Sequence, residues 1–510
     1  MSRPGFVLEV DDRTPALLVG DGAAGRLVRL PRGTQVVYPN EADQSLLDAD
    51  RTIAAALAAP DGAEPLAALL HPGTVLTVVV TGLDVAPMAD DIRRRAVEAV
   101  LDAAAAAHVD DIRVLIPVGP GRRLRRSELV AVLGPRVVDA LAPDHLIVQH
   151  DLTDDLADLG ATAAGEPVTV NARLAASDLV VTVNVVRTPA GAGVGGIVEG
   201  ASGPETLRAI HGHVADLAAG ERIADVIARG LPVWAIDVVT DQHAEAPRFR
   251  YLTRREWEWN LTDRFTQRAA RALGPQAHRA IWESGHARGT VALHAGDPAA
   301  VAAATRRTLA GQQDVGIDRV ADVVLLNVPG RTPYNIGEPA TPLTAAWSVL
   351  AGLDLPGGPL RPGGAVIVRH PLSPDGSPTE HQATGDFLTQ VLSETRDPAE
   401  IHDRFEERFA TDAWYAHIHR AEYAFAGILP VFQWYAIARA AAYCGDIVWV
   451  GADRASAARM GMRAATTLAD ALEIVSNRVG PEPVISYLHS GPTMRVTLDP
   501  EQTADPDQGR

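Results

Sequence analysis

Residues Asp178–Val186 read Asp-Leu-Val-Val-Thr-Val-Asn-Val-Val, and the fold class turns on them. A β-branched run of this kind suits a strand buried on both faces, the position of a parallel strand between two helical layers. Three earlier stretches share its character: Thr74–Thr81 (TVLTVVVT), Asp111–Pro117 (DIRVLIP) and His145–Gln149. Between them, Asp90–His108 places Ile92, Val97, Val100 and Leu101 at helical spacing behind Asp90 and Asp91, whose charge suits a helix N-terminus. Arg126–Leu133 predicts another helix. Strand–helix alternation of this kind predicts a parallel sheet wrapped by helices.

Beyond Arg222 the pattern loosens, and Arg254–Gly289, with Trp257, Trp259 and Trp282, reads as a helical elaboration. Alternation resumes with strands at Ala321–Val328, Gly364–Arg369 and Asp446–Val450 and helices at Thr344–Leu350, Phe432–Tyr443 and Leu468–Asn477. Residues 1–40 read as short extended segments with turns. The expected fold is therefore α/β: two Rossmann-like α/β domains with parallel sheets and a cleft between them. The expected division is 1–310, including the elaboration, then 311–499, then a polar tail at 500–510 predicted to be disordered.

At ~100–200 residues per domain, 510 residues that are 47% apolar agree with two large units. A net charge of −18, from 46 basic and 64 acidic side chains, argues against nucleic acid or an anionic membrane as partner. A single cysteine, Cys444, excludes an intramolecular disulfide, a thiolate zinc cage and an iron–sulfur cluster. No apolar run reaches the ~18–20 residues that cross a bilayer, and no basic-then-apolar stretch opens the chain, so a cytoplasmic protein is expected. Every one of the 46 basic residues is arginine. Without lysine there is no internal aldimine, no phosphate-loop lysine, no lysine base and no lysine-tethered cofactor, and arginine does not replace it because it stays protonated.

Several loops carry candidate chemistry. Gly191-Ala-Gly193-Val-Gly195-Gly196 has the spacing of a dinucleotide fingerprint, but Ile197–Pro204 separates it from the next helical segment. That helix is announced by Ser202-Gly-Pro-Glu205, which has the form of a capping box, and it carries His211, with His213 two residues on. Residues two apart on a helix diverge, so these two histidines do not form a metal pair. Gly119-Pro-Gly-Arg-Arg-Leu-Arg-Arg126 follows a strand end, where Arg122 and Arg123 are placed either to clamp an anion or to form a solvated turn. His150-Asp151 and Pro333-Tyr-Asn335 also sit at strand ends. His370, His381, His417 and His419 follow no metal spacing, and Phe432-Gln-Trp434-Tyr435 reads as core.

The order of these segments resembles the nickel-dependent lactate racemase family, over roughly residues 40–495 and most closely its longer members. The resemblance rests on Asp84-Val-Ala-Pro-Met88, Asp110-Asp-Ile112, Ser127-Glu-Leu129 through Leu133-Gly134, His150-Asp151 and Val183-Asn184. It continues through Thr206-Leu-Arg-Ala-Ile-His211, Pro333-Tyr-Asn335, Arg369-His-Pro371 and Trp434-Tyr435. It implies two α/β domains whose cleft holds a lysine-tethered nickel-pincer nucleotide that takes hydride from a 2-hydroxy acid and returns it to either face. The tethering lysine, in a Gly-Gly-x-Lys loop of the family, falls on Gly195, and a proton-accepting histidine falls on Gly121. Where longer members have His-Gly-x-His-Pro, this chain has Ala426-Gly-Ile-Leu-Pro430.

The resemblance thus implies Arg122, His150 and Asp151 as catalytic positions and His211 as the nickel ligand. Asp84, Gly121, Gly193, Gly195, Tyr334 and Asn335 face the cofactor, and glycine at 121 and 195 is expected to open volume in the cleft. The reading is a 2-hydroxy acid racemase or epimerase scaffold without its lysine-tethered chemistry, acting as a non-catalytic partner in a hetero-oligomer with an active paralogue. Its alternatives are an active isomerase of a small hydroxy acid or other anionic ligand with altered cofactor attachment, and an NAD-binding protein using residues 191–196.

Overall fold

The computed structural model describes residues 4–22, 25–40, 48–82, 90–152, 155–241, 251–252, 254–274, 277, 280, 289–329, 331–332, 335–336, 341–353, 357–373, 379–489 and 494–498. Two antiparallel strands, β1 (Phe6–Glu9) and β2 (Gln35–Tyr38), open it. There follow β3 (Val75–Val80), β4 (Asp111–Ile116), β5 (Ile147–Gln149), β6 (Leu179–Val186), β7 (Val233–Thr240) and β8 (Thr290–Gly296). These six form one sheet in the order β8-β7-β6-β3-β4-β5, parallel except for β8 at one edge.

The later strands are β9 (Ala321–Leu326), β10 (Leu360–Arg369), β11 (Asp446–Val450), β12 (Arg463–Ala465) and β13 (Ile485–Leu488). With β1 and β2 they make a seven-stranded sheet, ordered β1-β2-β13-β9-β10-β11-β12. The first strands of the chain therefore complete the second sheet, with Val36 opposite Tyr487. A division at residue 310 puts Phe6–Glu9 and Gln35–Tyr38 with the first sheet, and the pairing places them in the other. The physical reason is that β13 has an open edge on its far side from β9, and the apolar β2 (QVVY) covers it.

Both sheets are buried on both faces, as their β-branched runs require. On one side of the first sheet, Leu76, Val78 and Val80 pack with Ile92, Val97 and Val100 of α1 (Ile92–Ala106). On the other, Val79, Leu115 and Val180 pack with Ile197, Ile223 and Ile227. In the second sheet Val324, Leu326 and Val366 face one core and Val323, Leu325 and Ile367 the other.

The predicted helix at Arg126–Leu133 (α2) forms over those residues. The strands β7 and β8 lie where the sequence pattern loosens. The former is interrupted by Asp237, and the latter, at an antiparallel edge, is only half covered. Of the elaboration, a helix forms at Leu261–Arg271, with Asn260 and Asp263 as a reciprocal cap. No described helix is long and apolar enough to cross a membrane. Ile236 sits at the centre of β7 with its side chain fully buried. Ile236→Ala is expected to lower stability by about 2–5 kcal/mol in chemical denaturation.

Candidate functional site

In the first sheet the chain runs outward from β3 to β4 and β5, then returns to lay β6 and β7 on the opposite side of β3. The strand order reverses between β3 and β6, and the loops leaving the C-terminal ends there form the crevice such sheets use for ligands. The glycine-rich loop follows β6 at this point. It opens a helix directly, α3 (Gly195–Gly200), which the sequence pattern did not announce. The next helix, α4 (Pro204–His211), is capped at Gly203 rather than Ser202, whose hydroxyl donates to Ile197 O; Pro204 fills the first-turn position.

The loop's glycines are explained by contacts within the chain. Gly193 has φ +63°, and a Cβ there would lie 2.6 Å from Pro298 O. A Cβ on Gly195 would overlap the Ala190 carbonyl oxygen, and one on Gly196 would overlap the Thr81 methyl. The loop is held by Asp237, a fully buried carboxylate on β7. Its Oδ2 accepts from Gly193 N (2.9 Å) and from Thr305 Oγ1 (2.9 Å), and its Oδ1 accepts from Asn184 Nδ2 (2.8 Å). Asn184 also donates to Gly193 O at 2.7 Å. Burial pushes the Asp237 carboxyl up to about 6, against the lowering effect of these hydrogen bonds. The volume expected at Gly195 is therefore filled, and so is that at Gly121, where a Cβ would sit 2.7 Å from Val118 O.

Arg122 binds the carboxylate of Glu128 with both terminal nitrogens, at 2.9 Å for Nη1. Arg123 reaches Asp151 at 3.2 Å. Asp151 also receives Arg420 Nε at 2.9 Å from helix Ala413–Ala421 of the second unit. These residues lie at a seam between the two units. Arg125 pairs with Glu380 (2.8 Å), and Ala426 N donates to Pro120 O at 3.1 Å. His150 lies inside the first unit, with no exposed surface; its Nδ1 is 3.1 Å from Asn171 Nδ2 and its Nε2 3.2 Å from Ser202 O. That environment is a core histidine's, and it differs from the catalytic position implied above.

His211, at the end of α4, is half-exposed. Its Nε2 lies 2.8 Å from Glu199 Oε2, and its ring packs 5.5 Å from that of Phe432. Burial opposes the imidazolium, but the attraction and hydrogen bond of Glu199 outweigh this and raise its pKa. A carboxylate-backed imidazole at a seam can hold a proton or offer a ligand nitrogen near neutral pH. His213 diverges, as its spacing requires, toward His402 of the second unit, with ring centroids 4.3 Å apart. Asp84 and Tyr334 lie outside the described residues. The backbone of Asn335 lies in the two-residue strand Asn335–Ile336, opposite Thr332 of Arg331–Thr332, and its side chain also lies outside them.

His370 is buried, which pulls its pKa down to about 4, and His381 and His419 are buried as well. Phe432, Trp434 and Tyr435 are core, as their sequence suggests. Asp237, Glu199, Arg420 and the pair His402 and Glu406 also belong to the site, outside the loops that the sequence singles out. Two of these carry a signal, Asp237 as a lone acid inside the apolar run VWAIDVVT and His402 with Glu406 by their i, i+4 spacing, whereas Glu199 and Arg420 carry none.

Residues 22–221 match the family model described as the lactate racemase N-terminal domain. No curated protein matches the sequence. Among solved structures, the chain is similar to the lactate racemase apoprotein from Thermoanaerobacterium thermosaccharolyticum. The TM-score is 0.62 at 15% identity, covering 94% of this chain and 99% of that one. A protein from Thermotoga maritima gives a TM-score of 0.44 at 11% identity, covering 85% and 96%. The α/β fold with parallel sheets is thus that of a lactate racemase, and the chain resembles that family.

Gly195→Ala is expected to shift the loop and lower stability by about 1–3 kcal/mol, read by thermal or urea unfolding. For Asp237 the raised folded pKa means the native state binds the extra proton. Its contribution is therefore full below an ordinary value of 3.8 and is lost as pH rises through about 6. Relative to Asp237→Asn, the unsubstituted chain should gain stability on the order of 1–3 kcal/mol between pH 7 and pH 4. A parallel pH dependence of the two proteins is the contrary result.

Proposed function

We propose that this chain, whose fold is that of a lactate racemase, is a 2-hydroxy acid racemase scaffold that has lost lysine-tethered nickel-pincer chemistry. It acts as a non-catalytic or partner subunit, with an active paralogue as its partner. The observation that carries the reading is at Gly195. The position that the family resemblance assigns to the tethering lysine has no space for even a Cβ beside Ala190, in a chain with no lysine at all. The nickel-pincer nucleotide therefore does not fit these residues, because the loop is closed onto Asp237 where the attachment belongs.

Three further features support the same reading. Gly121, aligned with a proton-accepting histidine, packs against Val118. Ala426, in the stretch that replaces His-Gly-x-His-Pro, is hydrogen-bonded to Pro120 across the seam. Arg122 and Asp151 hold ion-pair partners within the chain.

A second reading draws on the His211–Glu199 pair, which keeps a polarised imidazole at the seam for an isomerase with altered cofactor attachment. One experiment separates them. After co-expression with the family's cofactor-synthesis proteins, the purified chain is expected at its unmodified mass of 53.9 kDa, with no racemisation of D- or L-lactate. A nucleotide adduct, or racemisation abolished by His211→Gln, overturns the proposal. Affinity purification from the native host is expected to recover a lysine-containing racemase paralogue in stoichiometric amount.

A further inference from the structure

The seam carries a second set of ligand-type side chains that the lactate racemase reading does not use. Among the described residues, His213, His402 and Glu406 form the one group of three whose potential ligand atoms all lie within 4.8 Å of one another. His213 comes from the first unit, just past α4. His402 and Glu406 come from the second, one π-helical turn apart in the segment His402–Glu406. Single π-turns inserted in α-helices recur at functional sites, and this one puts both side chains on one side of the backbone.

We propose that His213, His402 and Glu406 bind a divalent transition-metal ion that bridges the two units. The donor set, two imidazoles and one carboxylate, is the one that zinc and non-haem iron sites use when positions are left open for water or a substrate. His402 Nδ1 and Glu406 Oε2 are 2.9 Å apart. Adjacent ligands around an ion at ~2.1 Å are about 3.0–3.4 Å apart, so these two atoms stand close to the spacing of neighbouring ligands. The His213 ring stacks over that of His402, and one of its nitrogens lies within 4.8 Å of the ligand atoms of both His402 and Glu406.

The outer partners have the form such a site needs. Glu406 is buried, and its two oxygens are oriented by Tyr435 Oη (2.7 Å to Oε2) and Arg208 Nε (2.8 Å to Oε1). Hydrogen bonds of this type fix a ligating carboxylate and tune its affinity. The positive charge of Arg208 is offset by Glu407 at 2.9 Å, which leaves the surroundings suited to a cation. His211 is not part of the cluster, since its Nε2 faces Glu199. The site is thus distinct from the position that the family resemblance assigns to nickel, and it stands whether or not the chain is catalytic.

The test is calorimetric titration of Zn2+ into the full, chelator-treated chain, repeated with Co2+ and visible absorption. About one equivalent is expected to bind, and His213→Gln and His402→Gln should each weaken it at least about tenfold and remove the cobalt d–d bands. His71→Gln, at an exposed histidine elsewhere, and His211→Gln should leave the equivalent in place. The proposal fails if no equivalent binds, if it survives both the His213 and His402 substitutions, or if His211→Gln is the substitution that removes it.

Discussion

The buried carboxylate of Asp237 governs the crevice of the first sheet. It gathers donors from β6, from the glycine loop and from helix Pro298–Gln313, and so ties three pieces of chain to one buried group. An acid without exposed surface is tolerated because each oxygen is hydrogen-bonded, and removal of one donor would leave it desolvated and unsatisfied. The consequence runs outward. With Gly193 drawn down onto Asp237, the next residues turn tightly enough that Gly195 sits against the Ala190 carbonyl. The same interaction that stabilises the sheet thereby shapes the surface from which any tethered group would have to project.

Among the described residues, arginine holds the buried carboxylates Asp151 and Glu406 at the seam. Asp151 is buried between Arg123 and Arg420, and Glu406 lies between Arg208 and Tyr435. Planar guanidinium groups suit this role because they hold carboxylates with directed, often paired hydrogen bonds and are more weakly hydrated than ammonium groups. The arrangement adds matched charges to a seam where Leu207 of the first unit is also buried in the apolar core of the second. Such contacts between units are selective for one relative placement, since a slide of a few ångströms would strand a buried carboxylate.

The central strands and most helices were legible because their signal is local. The runs at Asp178–Val186 and Asp446–Val450 are too apolar and β-branched to be anything but buried strands, and Arg126–Leu133 forms over the residues expected. The strand at Val233–Thr240 was missed for the reason that makes it important: Asp237 breaks the apolar pattern in order to anchor the loop. The strand at Ile485–Leu488 is short, and its pairing with β2 is a long-range fact that no local pattern encodes. At the site, loop placement at strand ends identified Arg122, Arg123 and Asp151 as charged groups of the crevice. It did not foresee that they neutralise one another and their neighbours, since partners such as Arg420 lie hundreds of residues away. His150 looked available for chemistry from its position after a strand, yet its neighbours Asn171 and Ser202 enclose it.

The pairing of β2 with β13 also dictates when the molecule can be finished. Gln35 waits opposite Ser486, so β1 and β2 emerge from the ribosome long before the edge they are to complete has been synthesised. Closure of so long a loop is entropically expensive and slow, and until it happens β13 presents an unpaired edge able to recruit strands from other chains. The C-terminal half is accordingly not a module that can be cut free at the middle of the chain: its sheet is assembled from strands that lie on either side of the first unit in the sequence, which fastens the two units together topologically as well as through their shared surface.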